Sequence, residues 1–203
     1  TILAMEKFNE KLVIGVVGEN RAGKATFSQF FTKLTTKSVS VEVFSDVLRE
    51  TLRIWNIPPT RRNLQNLPVA MKRSYGDDVL SKAIFQRVIE RPEDIIVLDG
   101  VRWDSDRILV RRFQNNLLVY ITAAPEIRWQ RCIDANENKG DNEKTLEQFM
   151  EEEKAPTEVD IPRIGRTADF KIENNGTMEE YRNQVEKFYK IHIDPESLQH
   201  SSG

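Results

Sequence analysis

Short apolar runs that stop at a glycine or a carboxylate alternate along this chain with longer segments whose apolar residues recur at helical spacing. The first run, 12–17, is rich in β-branched residues and ends at Gly18, the pattern of a strand buried on both faces. Beyond a glycine-bearing loop, Phe27, Phe30, Phe31 and Leu34 lie at offsets of three, four and seven, so they line one face of a helix. A second strand is predicted over 39–44, closed by Ser45 and Asp46, with Ser45 capping a helix over 47–55 that Pro58 and Pro59 break. Residues 61–90 are helical in character but interrupted at Pro68 and Gly76, which predicts two or three short helices.

The four apolar residues 95–98 run into Asp99-Gly100 and predict a third strand with a polar residue at its carboxyl end. Residues 117–122 predict a fourth, and Pro125 opens a helix through Cys132. The stretch 136–145 is polar enough to be a mobile connection. A fifth strand over 170–173 leads into Asn174-Asn175-Gly176, after which Met178, Tyr181, Val185 and Phe188 mark one face of a last helix. Strands alternating with helices predict a single α/β domain over 12–190, a mostly parallel sheet covered on both faces.

Composition narrows the functions such a domain can serve. With 203 residues, 39% of them hydrophobic, the chain suits one compact domain, with room for a small mobile subdomain. Thirty basic side chains against 32 acidic ones leave a net charge of -2, which argues against a nucleic-acid polymer as partner and makes any cationic site local. Cys132 is the only cysteine, which excludes an internal disulfide framework and a cysteine-cluster zinc site and points to a reducing cytoplasm. No apolar run approaches the roughly 20 residues that span a bilayer, and residues 1–11 lack the apolar segment of a signal peptide. The pattern is silent on oligomeric state.

The candidate chemistry begins in the loop 18–26, Gly18-Glu19-Asn20-Arg21-Ala22-Gly23-Lys24-Ala25-Thr26, which follows a predicted strand and opens a predicted helix. That context identifies a phosphate-binding loop. Its backbone N–H groups and the helix N-terminus face an anion, while Lys24 reaches the outer phosphates. Gly18, Asn20, Ala22, Gly23, Lys24, Ala25 and Thr26 are therefore the expected nucleotide contacts. Such loops place Ser or Thr directly after the lysine to hold Mg²⁺; here that position is Ala25, and the hydroxyl comes one residue later at Thr26. Asp99, at a strand end, is the second expected metal residue, able to orient the waters of Mg²⁺ bound to ATP. Arg102 is in reach of an acceptor phosphate, or else pairs with Asp104 or Asp106.

The pattern Gly-x4-Gly-Lys-x-Thr, Asp46 after the second strand, Asp99-Gly100-x-Arg102, and Ala168-Asp169-Phe170-x-Ile172-x-Asn174-Asn175-Gly176-Thr177 together resemble the nucleoside monophosphate kinase and dephospho-CoA kinase group over about 12–190. The resemblance implies a P-loop NTPase three-layer sandwich with a five-stranded parallel sheet. It places Asn175 and Gly176 beside the donor adenine and an acceptor-binding helical region over 46–91, which contains Asp46, Arg49, Arg53, Arg61, Arg62 and Arg73. Asp46 would orient the nucleophile, and Arg49 and Arg53, four residues apart, would present one cationic face. A lid is expected over 136–145. Its only cations are Lys139 and Lys144, so Arg131, with Arg128 behind it, becomes the candidate for neutralising the transferred phosphoryl group.

The implied activity is transfer of the γ-phosphoryl group of ATP, with Mg²⁺, to a nucleoside monophosphate-type acceptor. A dephospho-CoA kinase and an ATP-binding regulator without transfer chemistry are the alternatives. Other signals are set aside. Asn138-Lys139-Gly140-Asp141 spells a guanine-reading motif but follows a charged stretch instead of a strand. Trp55, Trp103 and Trp129 read as packing residues, His192 and His200 have no triad partners, and 147–154 reads as a solvated acidic helix face.

Overall fold

The computed structural model describes residues 11–137 and 140–195. The expectations for residues 1–10, Asn138, Lys139 and His200 lie outside the described residues. Strands β1 (Leu12–Val17), β2 (Val39–Val43), β3 (Ile95–Val101), β4 (Asn115–Thr122) and β5 (Phe170–Glu173) make one sheet in the order β2-β3-β1-β4-β5. Every pairing is parallel. The helices are α1 (Lys24–Leu34), α2 (Phe44–Ile54), α3 (Arg61–Tyr75), α4 (Val79–Glu90), α5 (Asp104–Arg111), α6 (Pro125–Ala135), α7 (Leu146–Glu152), α8 (Ile161–Gly165) and α9 (Met178–His192).

Strand periodicity divides the core in two. Ile14 and Val16 of β1 face one layer, where Phe27 and Phe31 of α1 meet Tyr181, Val185 and Phe188 of α9. The Phe27 and Phe188 rings lie 5.6 Å apart, a tilted contact of the kind aromatic pairs favour. Val13 and Val17 face the other layer, packed with α2, α4, α5 and α8 through Leu48, Ile84, Leu109 and Ile164. The predicted sandwich is therefore observed, with β1 at its centre.

Several boundaries differ from the sequence expectation. Helix α2 starts at Phe44 directly from Val43 with no side-chain cap, because Phe44 is already buried against the sheet. Ser45 sits in the first turn and accepts a hydrogen bond from Arg49 at 2.6 Å instead of capping. Helix α3 runs through Pro68, whose lost N–H is offset by its burial beside Leu67, and the break comes only at Gly76. Strand β3 continues past Leu98 to Val101. Its register with β1 slips there, Val16 facing Asp99 and Val17 facing Val101, so Gly100 (φ 100°) is the extra residue of a bulge. The bulge aims Asp99 and Arg102 at one cavity.

Candidate functional site

The site lies over the carboxyl ends of the strands, beside β1, where chain connections diverge towards β3 on one side and β4 on the other. Loop 18–26 turns through Arg21 (φ 64°) and Gly23 (φ 111°) before α1 begins. A Cβ on Gly18 would be driven into the Ile121 carbonyl oxygen, so only glycine lets the loop leave β1 this close to β4. Two side chains from the far end of the chain brace it. Asn174 Nδ2 donates to the Ala22 carbonyl and Tyr181 Oη to the Gly23 carbonyl, each at 2.9 Å.

A cavity of about 520 Å³ opens above the loop, lined by Lys24, Ala25, Thr26, Asp99, Arg102 and Arg131 among others. Lys24 Nζ donates to the carbonyls of Gly18 and Glu19 at 2.9 and 3.0 Å. Burial pushes the Lys24 ammonium below the usual lysine range, against the pull of Asp99. Burial likewise lifts Asp99 above the usual carboxylate range, opposed by Lys24 and Arg102, while the charge of Asp46 adds to the rise. Both groups are thus held where a polyphosphate and a divalent cation would favour their ionised forms. Thr26 and Asp99 line the same cavity, so the donor set fits a cation that takes most of its ligands from phosphate and water. Among the described residues no group of three or more His, Cys, Asp or Glu forms a metal cluster of its own.

A second cavity of about 250 Å³ adjoins the first and shares Asn20, Phe44, Ser45, Arg61, Gly100, Arg102 and Glu137 with it. Its remaining wall is apolar at Leu48, Leu64, Leu80 and Trp103 among others, and charged at Arg49, Asp106 and Glu158. The Arg102 guanidinium pairs with Glu158, not with Asp104 or Asp106; Asp106 accepts instead from the Arg102 backbone N–H at 3.0 Å. Arg61 pairs with Glu152 at 3.0 Å and Arg49 with Asp46 at 2.9 Å. Asp46 itself lines neither cavity, and Arg53 is exposed outside both.

The two α6 arginines part company. Arg131 donates to the Asn174 carbonyl at 2.9 Å and to the Arg21 carbonyl at 3.4 Å, on the cavity wall. Arg128 is 4% exposed, tied to Ala123 O at 2.9 Å and to Glu153, and takes no place in either lining. The stretch 147–154 is correspondingly only partly a solvated face, since Glu152 and Glu153 serve these pairs. Asn175 is exposed and accepts from the Ala124 N–H at 2.7 Å, with Gly176 exposed beside it. Within the expected lid, 141–143 form a short 3₁₀ turn, and Lys144 is committed to Asp141 and Glu152 at 3.0 and 2.9 Å.

Sequence reasoning missed Glu158 and the pair Tyr120–Glu19. Tyr120 donates to Glu19, and burial first, then that bond, pushes its hydroxyl up to about 12. A glutamate inside the loop was the available signal for the pair. Glu158 had none, being 56 residues from Arg102.

Comparison with solved structures follows this geometry. Shikimate kinase from Bacteroides thetaiotaomicron superposes with a TM-score of 0.59 at 14% identity, covering 89% of this chain and 97% of that one. The fold is that of P-loop kinases. The P-loop kinase fold recurs with a TM-score of 0.54 in shikimate kinase from Acinetobacter baumannii in complex with shikimate, at 16% identity over 92% of this chain and 95% of that one. TT1252 from Thermus thermophilus reaches 0.60 at 16% identity, over 91% and 98%. In sequence the chain is similar to a UPF0200 protein of Methanoregula boonei, 26% identical over 174 residues, 85% of this chain and 93% of the relative. A UPF0200 protein of Saccharolobus solfataricus is 27% identical over 180 residues, 86% and 90%. No protein-family model matches the chain. Among the described residues no helix is long and apolar enough to cross a membrane.

Proposed function

We propose that the chain is an ATP-dependent small-molecule kinase that moves the γ-phosphoryl group of ATP to a small phosphorylated acceptor of nucleotide type in a reducing cytoplasm. The observation that carries this reading is the pair of adjoining cavities: a phosphate loop under one, a mixed apolar and charged chamber under the other, with Arg102 on the wall of both. Positioning and charge neutralisation do most of the work in such a transfer. Lys24 and the loop amides hold the donor phosphates. Thr26 and Asp99 would hold Mg²⁺, which when bound would supply charge neutralisation for the transfer. Arg131 bears on the transferred group from α6, Asp46 remains close enough to act on Asp99, and Arg49 and Arg102 face the acceptor.

A nucleoside monophosphate and dephospho-CoA both answer this description. Incubation with ATP, Mg²⁺ and each acceptor pool, with ADP as readout, tests it: ADP release that depends on one acceptor class is expected. Tight ATP binding with no acceptor-dependent release would favour the regulator, a reading that Ala25 in the usual metal-hydroxyl position supports.

A further inference from the structure

Three carboxylates line the second cavity outside the reading above: Asp106 is committed to the Ser81 hydroxyl and the Arg102 and Trp103 N–H groups, Glu137 to Arg21, and Glu158 to Arg102. Glu158 is 8% exposed, on the connection between α7 and α8, yet it lines the acceptor chamber. The two hydrogen bonds its carboxylate accepts, from the Arg102 guanidinium and from the Thr157 hydroxyl at 3.2 Å, both end on Oε1. Oε2 takes part in neither. Glu158 does not line the cavity over the phosphate loop itself; its link to that side is Arg102, which it pairs with and which lines both cavities. Asp46, by contrast, has a half-exposed side chain committed to Arg49 and belongs to neither lining.

We propose that Glu158 accepts the proton side of the attacking group of the acceptor, and that this group is an alcohol hydroxyl. The inference rests on the phosphotransferase reading above and narrows its substrate class. A phosphate oxygen brings its own negative charge and finds a buried carboxylate repulsive, whereas a hydroxyl is a donor that needs an acceptor at the point of attack. The chamber's arginines are already ion-paired, with Glu158, Glu152 and Asp46, which suits recognition of a hydroxyl-bearing body over capture of a bare dianion. In the step, the hydroxyl oxygen forms a bond to Pγ as the bond from Pγ to the β,γ-bridging oxygen breaks. That bond's electron pair leaves with ADP. The hydroxyl proton passes to Glu158 and then to solvent.

The test uses the intact chain with ATP, Mg²⁺ and three acceptor probes: dephospho-CoA, shikimate and adenosine 5′-monophosphate. Phosphorus NMR distinguishes a phosphate monoester from an anhydride, and ATP affinity and melting temperature are measured alongside. Wild type should form a monoester. Glu158→Gln should lower kcat by about 100-fold or more with ATP affinity unchanged and the protein still folded in its melting curve. Glu158→Asp, which keeps the charge but withdraws it, should fall between and serves if the glutamine variant fails to fold. An anhydride product overturns the hydroxyl assignment alone. Wild-type kcat in Glu158→Gln, or a rise confined to acceptor KM, overturns the role of Glu158, since the carboxylate then only holds Arg102. Absence of transfer to all three probes with ATP binding intact sinks the kinase reading and this inference with it.

Discussion

The donor cradle and the acceptor chamber share a wall but are built by opposite means. The cradle is made of backbone, a loop from Gly18 to the start of α1, and is braced by neutral hydrogen bonds from Asn174 and Tyr181 to loop carbonyls. The chamber is made of side chains, and its arginines enter it already paired, Arg49 with Asp46, Arg61 with Glu152 and Arg102 with Glu158. A polyphosphate has one shape whatever it is attached to, so amides and a lysine in contiguous sequence suffice to hold it. An acceptor is chosen by its particular donors and acceptors, and two of the three pairs, Arg61 with Glu152 and Arg102 with Glu158, are brought together by the fold from distant positions.

The largest expected effect breaks the cradle. Lys24→Ala should reduce acceptor-dependent ADP formation by about 10³-fold or more while the circular dichroism spectrum and melting curve stay those of a folded protein. Unchanged turnover would remove the phosphate loop from the mechanism. Next, Arg128→Ala strips Glu153 of its buried partner and should cost about 3 kcal/mol in urea unfolding, whereas Arg131→Ala should spare stability and lower kcat. A reversal of the two would mean that the wrong α6 arginine faces the reacting group. Thr26→Ala should raise the Mg²⁺ concentration for half-maximal rate about tenfold, and an indifferent titration would dismiss its hydroxyl as a metal contact. Smallest of all, Arg53→Ala should leave acceptor KM within about twofold of wild type, since it lies outside the chamber.

The same contrast governs what the sequence made legible. The cradle was readable because its signals are local: a strand, a glycine-bearing loop and a helix in immediate succession, with Asp99 at a strand end. The five strands and the last helix followed from periodicity. Helices α5 and α8 were not foreseen, being eight and five residues long, too short for a face to repeat, while the acidic helix face expected over 147–154 falls on α7. Pro68 misled because tertiary burial outweighed local propensity. Arg128 and Arg131, three residues apart on α6, are separated by partners distant in sequence, Glu153 for the first and the Asn174 and Arg21 carbonyls for the second. Arg102 was legible as a candidate and its partner Glu158 was not, since nothing near in sequence ties one to the other.

The braces of the loop also set a timetable for synthesis. Asn174 is 152 residues downstream of Ala22, and Tyr181 is 158 downstream of Gly23. A chain still emerging from the ribosome displays the complete loop sequence long before it owns the two side chains that hold that loop in shape. The loop therefore gains its braces only after α9 has been made and has docked.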